Sequence, residues 1–180
     1  LAKSLMRAWG GEVSDPGRPR LAFGGGQGTA GERFILTLGQ DEQEIANVRF
    51  VPSEGGKKLF ISESHTNRGF ERRGAYDALT RTVVALYPEC TEISSQLAWT
   101  NFRRVAEVLS GQEMTKVSAQ EAVIARAASA IDKTPLLDAI RQSPRGVTMK
   151  NSGFVLDPAS VVFTSTDRSF DYTPMLSVRW

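Results

Sequence analysis

The sequence predicts an α/β domain with a mixed, mainly antiparallel central sheet flanked by helices. Three observations carry that expectation. Apolar residues alternate with polar ones through residues 34–64, the period of half-buried strands. From residue 76 onward they recur at steps of three and four, the period of one helix face. After residue 153 the strand-type runs return. At 180 residues, 41% of them hydrophobic, the chain can bury a sizeable core.

Taken in order, residues 10–31 are broken by Asp15-Pro16-Gly17-Arg18-Pro19 and by Gly24-Gly25-Gly26-Gln27-Gly28, and read as a linker or long loop. Residues 1–31 are therefore expected to be a flexible arm, and 32–180 the domain. No lysine-serine or lysine-threonine pair follows the glycine run, so it is not a P-loop. Phe34, Leu36 and Leu38 share one strand face. Ala46, Val48 and Phe50 alternate with Asn47, Arg49 and Val51, and Pro52 with Ser53-Glu54-Gly55-Gly56 supplies a turn into Leu59–Ser64. Tyr76, Leu79, Val83 and Leu86 form a helical stripe that Pro88 ends.

Thr91–Leu97 reads as a strand burying Ile93 and Leu97. Thr100 is the expected cap of a helix with Phe102, Val105, Ala106 and Leu109 inward, closed by Gly111. Residues 112–146 read as helical: Ser118 and Glu121 have capping-box spacing, and Thr134-Pro135 opens a segment containing Leu136, Leu137 and Ile140. Strands are expected at Phe154–Leu156, Val161–Phe163 and Met175–Trp180.

Composition narrows function. Lys and Arg total 22 against 20 Asp and Glu, a net charge of +2, without the concentrated positive charge that phosphate-backbone binding requires. Nucleic acid is thus not an indicated partner. One cysteine, Cys90, and one histidine, His65, leave no intrachain disulfide and no zinc cage of the usual ligands. Nothing approaches a membrane span, and the start lacks a signal-peptide pattern. A cytoplasmic location is the expectation. Because the chain begins at Leu1 without a methionine, it is also read as a piece of a longer protein, which leaves a lost targeting segment open.

Glu71-Arg72-Arg73-Gly74-Ala75-Tyr76-Asp77-Ala78-Leu79 resembles the acyl-coenzyme A loop of the GNAT acyltransferase superfamily, in divergent form. With the last small residue of that motif on Gly74, Leu79 takes the family's leucine position, while the motif's first glycine falls on Arg72. The resemblance implies a diphosphate seated at a helix N-terminus, where unpaired N–H groups and the positive dipole end meet phosphate oxygens. Ser62, Ser64, Arg68, Gly69, Arg72, Arg73, Gly74 and Ala75 would shape that cradle, and the arginines would add charge-assisted bonds. Asn101, at a strand-to-helix junction 27 positions on, resembles the family's pantetheine-contacting asparagine; a helix cap is its other reading. Met149–Phe154 resembles the glycine-phenylalanine turn into the late strands. Residues 112–146 would then be a helical insertion.

The implied reaction moves an acyl group from acyl-CoA, such as acetyl-CoA, to an amine or hydroxyl acceptor on a small molecule or a protein. Glu63 is the first candidate for the base that takes the acceptor's proton, and His65 the second, being the one residue type that ordinarily titrates between pH 5 and 8. The family's proton-donating tyrosine falls near Val108, so Tyr76 or water would have to protonate the departing thiolate. Two other readings stand beside this one: a noncatalytic GNAT-like interaction module, and an effector or toxin domain of a larger secreted protein. Phe163-Thr164-Ser165-Thr166 faintly resembles an ADP-ribosyltransferase strand, but no Glu-x-Glu follows it.

Overall fold

The computed structural model describes residues 20–28, 31–40, 43–69, 74–164 and 174–180. The chain divides into two compact units, residues 1–93 and 94–180.

The first unit is an antiparallel meander followed by a helix. Strands β1 (Arg20–Gly28), β2 (Gly31–Gln40), β3 (Gln43–Ser53) and β4 (Lys58–Thr66) each pair antiparallel with the next. The first strand corrects the expected linker: Arg20 to Gly28 pair residue for residue with Gly39 to Gly31. Ladder bonds use backbone N–H and C=O, which glycine supplies like any other residue, so a glycine-rich run is able to pair beside a long neighbour. The expected arm upstream of residue 20 lies outside the described residues.

Among the described residues two β-bulges interrupt the meander. Leu38 faces Ala46 while Gly39 faces Glu44, which leaves Ile45 as the extra residue on β3. Arg49 faces Glu63 while Phe50 faces Ile61, which leaves Ser62 as the extra residue on β4. A turn of 3-10 type at Glu54–Gly56 joins β3 to β4.

Helix α1 (Ala75–Leu86) packs on β2, β3 and β4, chiefly on β3. Leu79 and Val83 are fully buried, as are Val48, Phe50 and Ile61 of the strands. Tyr87, at the C-terminus of α1, sets its ring edge-on to Phe50 at 6.0 Å, and Phe34 stacks on Phe50 at 5.7 Å. These contacts identify the Phe50 face of the meander as the one that α1 covers. Pro88 follows at the expected stop.

Strand β5 (Glu92–Leu97) leads into the second unit and buries Ile93 and Leu97, as expected. There β7 (Met175–Arg179) pairs antiparallel with β5 on one side and with β6 (Val162–Thr164) on the other. Among the described residues four helices accompany them: α2 (Trp99–Ser110), α3 (Val117–Ser129), α4 (Thr134–Gln142) and α5 (Pro144–Asn151). Phe102, Val105 and Ala106 of α2, Ile124 of α3, and Leu136 and Ile140 of α4 are buried where α2 packs on α3 and α4. The α/β class, the mainly antiparallel strands and the helical stretch after Gly111 are as the sequence predicts.

Several local expectations are corrected. Thr100 does not cap α2, which starts one residue earlier behind Ala98 and has no side-chain cap. Gly111 does close it, at φ 69°. Ser118 lies inside α3, whose first flanking residue is Lys116, so the capping box is not formed. Thr134 is already helical, and Asp132 Oδ1 accepts its N–H at 2.9 Å. Phe154–Leu156 is not a strand: Phe154 N–H closes the end of α5 on Met149 O, and Asp157 N–H bonds Arg179 O. The first of these groups is committed to the helix end and the second to the end of the last strand.

Candidate functional site

Strand β4 ends at Thr66, and α1 starts at Ala75. Gly74 is the residue ahead of the helix, at φ 76°, a left-handed conformation that glycine adopts without steric cost. The first intrahelical bond runs from Ala78 N–H to Gly74 O at 2.9 Å, and among the described residues no side chain caps the end. Amides ahead of that bond have no acceptor within the helix. A Cβ added at Gly74 would meet nothing within 4 Å among the described residues, and Ala75 behind it is buried.

Asp77 puts one negative charge into this first turn. Arg81, one turn along, holds its carboxylate at 2.8 Å. Arg68 and Gly69 are exposed at the exit of β4, Gly69 at φ 93°. Arg72 and Arg73, both expected at the cradle, lie outside the described residues.

The bulge at Ser62 decides where the side chains of β4 point. Leu59 and Ile61 stand opposite Pro52 and Phe50, on the face that α1 covers. Beyond the extra residue the phase reverses, so that Ser64 stands opposite buried Val48 while Glu63 and His65 stand opposite Arg49 and Asn47 on the other face. Without the bulge, the Leu59–Ile61 period would carry both titratable groups into the apolar layer. The two base candidates are thus brought together on one exposed face, and Ser64 is not with them. Ser62 donates its hydroxyl to Arg49 O at 3.3 Å.

Glu63 is ion-paired with Arg49 at 3.1 Å, with about half of each side chain exposed. His65 Nε2 lies 2.8 Å from Asn67 Oδ1. Asn67 in turn donates Nδ2 to Glu44 O, and its own N–H to Ile45 O at 2.8 Å. Across the strand, Asn47 is buried and donates Nδ2 to Glu44 Oε1 at 2.6 Å. Asn47, Asn67 and Glu44 were not among the expected site residues. The available signal was His-x-Asn at a strand exit, two residues apart and so on one face. The Tyr76 hydroxyl is buried, away from the face that carries Glu63 and His65.

In the second unit Asn101 does cap a helix, though not the one it belongs to. Its Oδ1 accepts the N–H of Arg145 at 2.8 Å, in the first turn of α5. Ser143 Oγ accepts Gly146 N–H at 3.1 Å, and Pro144 has no N–H to satisfy. The α5 start is therefore closed. Val108 lines an open groove of about 570 Å³ with Arg103, Arg104 and Glu107, and offers no proton.

Cys90 is half-buried, and that burial pushes its thiol pKa up; its S–H donates to Glu92 O at 3.3 Å. A raised thiol pKa is the reverse of what a nucleophilic cysteine needs. Among the described residues no group of three His, Cys, Asp or Glu is placed to hold a metal ion, and no helix is long and apolar enough to cross a membrane.

No protein-family model and no curated protein matches the sequence. Among solved structures, the chain is similar to nourseothricin acetyltransferase, with a TM-score of 0.45 and 11% identity over 93% of this chain and 88% of that one. It is also similar to a Bacillus subtilis acetyltransferase in complex with CoA, with a TM-score of 0.41 and 8% identity over 89% of this chain and 97% of that one.

Proposed function

We propose that the chain is an acyltransferase that moves an acyl group from acyl-CoA to an amine or hydroxyl acceptor. The observation that carries this reading is the helix start at Gly74. Gly74 is left-handed there, among the described residues no side chain caps the end or comes within 4 Å of where a Cβ would stand, and the helix comes after a bulged strand that turns two titratable groups to an exposed face. Such a helix end suits a diphosphate, because oriented N–H groups and the dipole act on the same charge.

The residues present fit the carrier in part. Among the described residues nothing crowds Gly74, and Arg68, exposed at the exit of β4, is a cation available to an anion. Bound acyl-CoA would supply a thioester carbonyl, an electrophile needing no metal. The chain would then orient the acceptor and take its proton, and proximity would supply much of the rate. Val108 favours the second reading, an interaction module without chemistry, because no hydroxyl stands where the resembled family often has its acid.

Calorimetry with acetyl-CoA on the folded chain, beside Gly74→Val, separates the two. Acyl transfer requires binding that weakens in the variant, since valine at φ 76° strains the turn. No heat from the wild-type chain at high micromolar ligand would remove the acyl-CoA reading.

A further inference from the structure

We propose that two copies of this chain pair through the outer face of α3, antiparallel about a two-fold axis, with reciprocal contacts between Glu121 and Arg126. The face belongs wholly to the second unit and is independent of acyl transfer. Helix α3 buries only Gln120 and Ile124. Ser118, Ala122, Ala125 and Ser129 lie along the opposite side of the helix and are exposed. An outward helix face ordinarily carries charge. Here Glu121 and Arg126 are the only charged residues of the helix. Apolar side chains stand in water at both ends, Val117 at the start 54% exposed and Ile131, just past the last turn, 108% exposed.

The charges of the other long helices are used within the chain: Asp77 holds Arg81, Glu107 holds Arg103 and Arg104, and Asp138 holds Arg141. Among the described residues Glu121 and Arg126 make no ion pair. They cannot pair with each other on one helix, because a separation of five residues turns them about 140° apart, onto the two flanks of the exposed row.

What selects a second copy as the occupant is the order of residues about the midpoint between Val123 and Ile124. Ala122 and Ala125 are equidistant from it, and so are Ser118 and Ser129, and so are Glu121 and Arg126. A two-fold interface requires such an order, because residue i meets j and j meets i. Crossed antiparallel on this axis, Ala122 faces the partner's Ala125, and the small side chains let the two backbones approach. Each Glu121 comes level with the partner's Arg126, opposite in sign, so one symmetric contact answers all four charges. At 13 residues the helix is about 20 Å long, which buries less than the roughly 1,600 Å² of a standard interface. The association is therefore expected to be micromolar and weakened by salt.

Sedimentation velocity on the whole chain, from about 5 to 500 µM and at low and high salt, reads this association. Monomer at the lowest concentration and dimer at the highest is the expected result. Glu121→Arg and Arg126→Glu each set like charges against one another and should raise the dimer Kd by about 10-fold or more. The double variant E121R/R126E should return to the wild-type value, and an equimolar mixture of the two single variants should associate where neither does alone. Ala122→Trp, which adds bulk beside the midpoint, should be monomeric, with circular dichroism showing that its helices stay formed. The mixing experiment decides by itself if that variant does not fold.

A chain that stays monomeric at the highest concentration overturns the proposal, as does a dimer indifferent to both charge swaps. A double variant no better than the singles, or a mixture that does not associate, overturns the reciprocal pairing. A dimer unchanged in folded Ala122→Trp places the contact on another face and overturns it as well.

Discussion

Replacing Asn101 separates a structural role from a ligand-binding one. Its Oδ1 takes the N–H of Arg145 at 2.8 Å, and Arg145 is 2% exposed, so no water stands ready to substitute. Asn101→Ala leaves that amide buried without its acceptor. Orphaning a buried donor costs about 1–3 kcal/mol, and losing a helix cap about 0.5–2 kcal/mol. These describe one bond in two ways, which gives about 1.5 kcal/mol. For a chain of this size each kcal/mol moves the midpoint by about 2–4 °C, so Tm should fall by about 3–6 °C.

Asn101→Asp keeps the oxygen and adds a charge that the α5 dipole favours, so it should melt within a degree or two of wild type. The assay is a pair of thermal melts by circular dichroism, with acetyl-CoA titrated into each variant. If Asn101→Ala melts with the wild type, the cap is not a working bond. Should Asn101→Asp lose as much as the alanine variant, the acceptor is not what matters at this position. A variant that keeps its Tm and loses acetyl-CoA would return Asn101 to the ligand-binding role.

Three further perturbations follow from single contacts. A methyl at Gly146 would lie 2.2 Å from Ile140 O and 2.7 Å from Arg141 O, backbone that cannot swing away, so Gly146→Ala should lose about 2–3 kcal/mol in a urea titration; a change under half a kcal/mol would contradict the close approach. Asp77→Asn removes the negative charge from the first turn of α1 and should tighten acetyl-CoA binding severalfold by calorimetry while costing about 0.5 kcal/mol of stability; weakened binding would mean the anion does not sit there. Asp157 has its pKa lowered by the Arg179 guanidinium and then by the Ala159 amide. A depressed carboxyl stabilises the fold above the ordinary aspartate range and loses that contribution as pH falls through its folded value. Asp157→Asn should therefore melt below wild type at pH 6, with the gap closing in acid; a gap that widens in acid would contradict the assignment.

Much of the fold was legible because it rests on period. Tyr76, Leu79, Val83 and Leu86 mark α1, and Ala46, Val48 and Phe50 mark β3, since burying one face imposes these spacings. What was illegible involves backbone alone or pairs distant in sequence. Strand β1 has few side chains that report its pairing. Helix α5 spans eight residues with no apolar stripe, and its caps come from Ser143 and from Asn101, 44 positions before Arg145. Of the candidate site, Gly74 was legible as the opening of a helix. The hold of Asn67 on His65 was not, because it depends on Glu44 being returned beside residue 67 by the β3–β4 pairing.

The bulge at Ser62 was the least legible feature, and the site depends on it. Read straight through, Leu59, Ile61, Glu63 and His65 are one alternating face, and nothing in their order announces a change of phase. The extra residue puts the first two under α1 and the last two on the opposite, exposed side. Deleting Ser62 tests that dependence. The strand would then have to drive Glu63 and His65 into the layer of Val48 and Phe50, or keep them outside and expose Ile61. Withdrawing Ile61 from the core alone costs about 2–3 kcal/mol, and burying an unpaired carboxylate costs more. The deletion should therefore unfold at several kcal/mol less than wild type. Ser62→Ala, which keeps the extra residue and loses only a 3.3 Å bond to Arg49 O, should stay within about 1 kcal/mol. Equal losses from the two would mean that the hydroxyl, and not the inserted residue, holds the strand in phase.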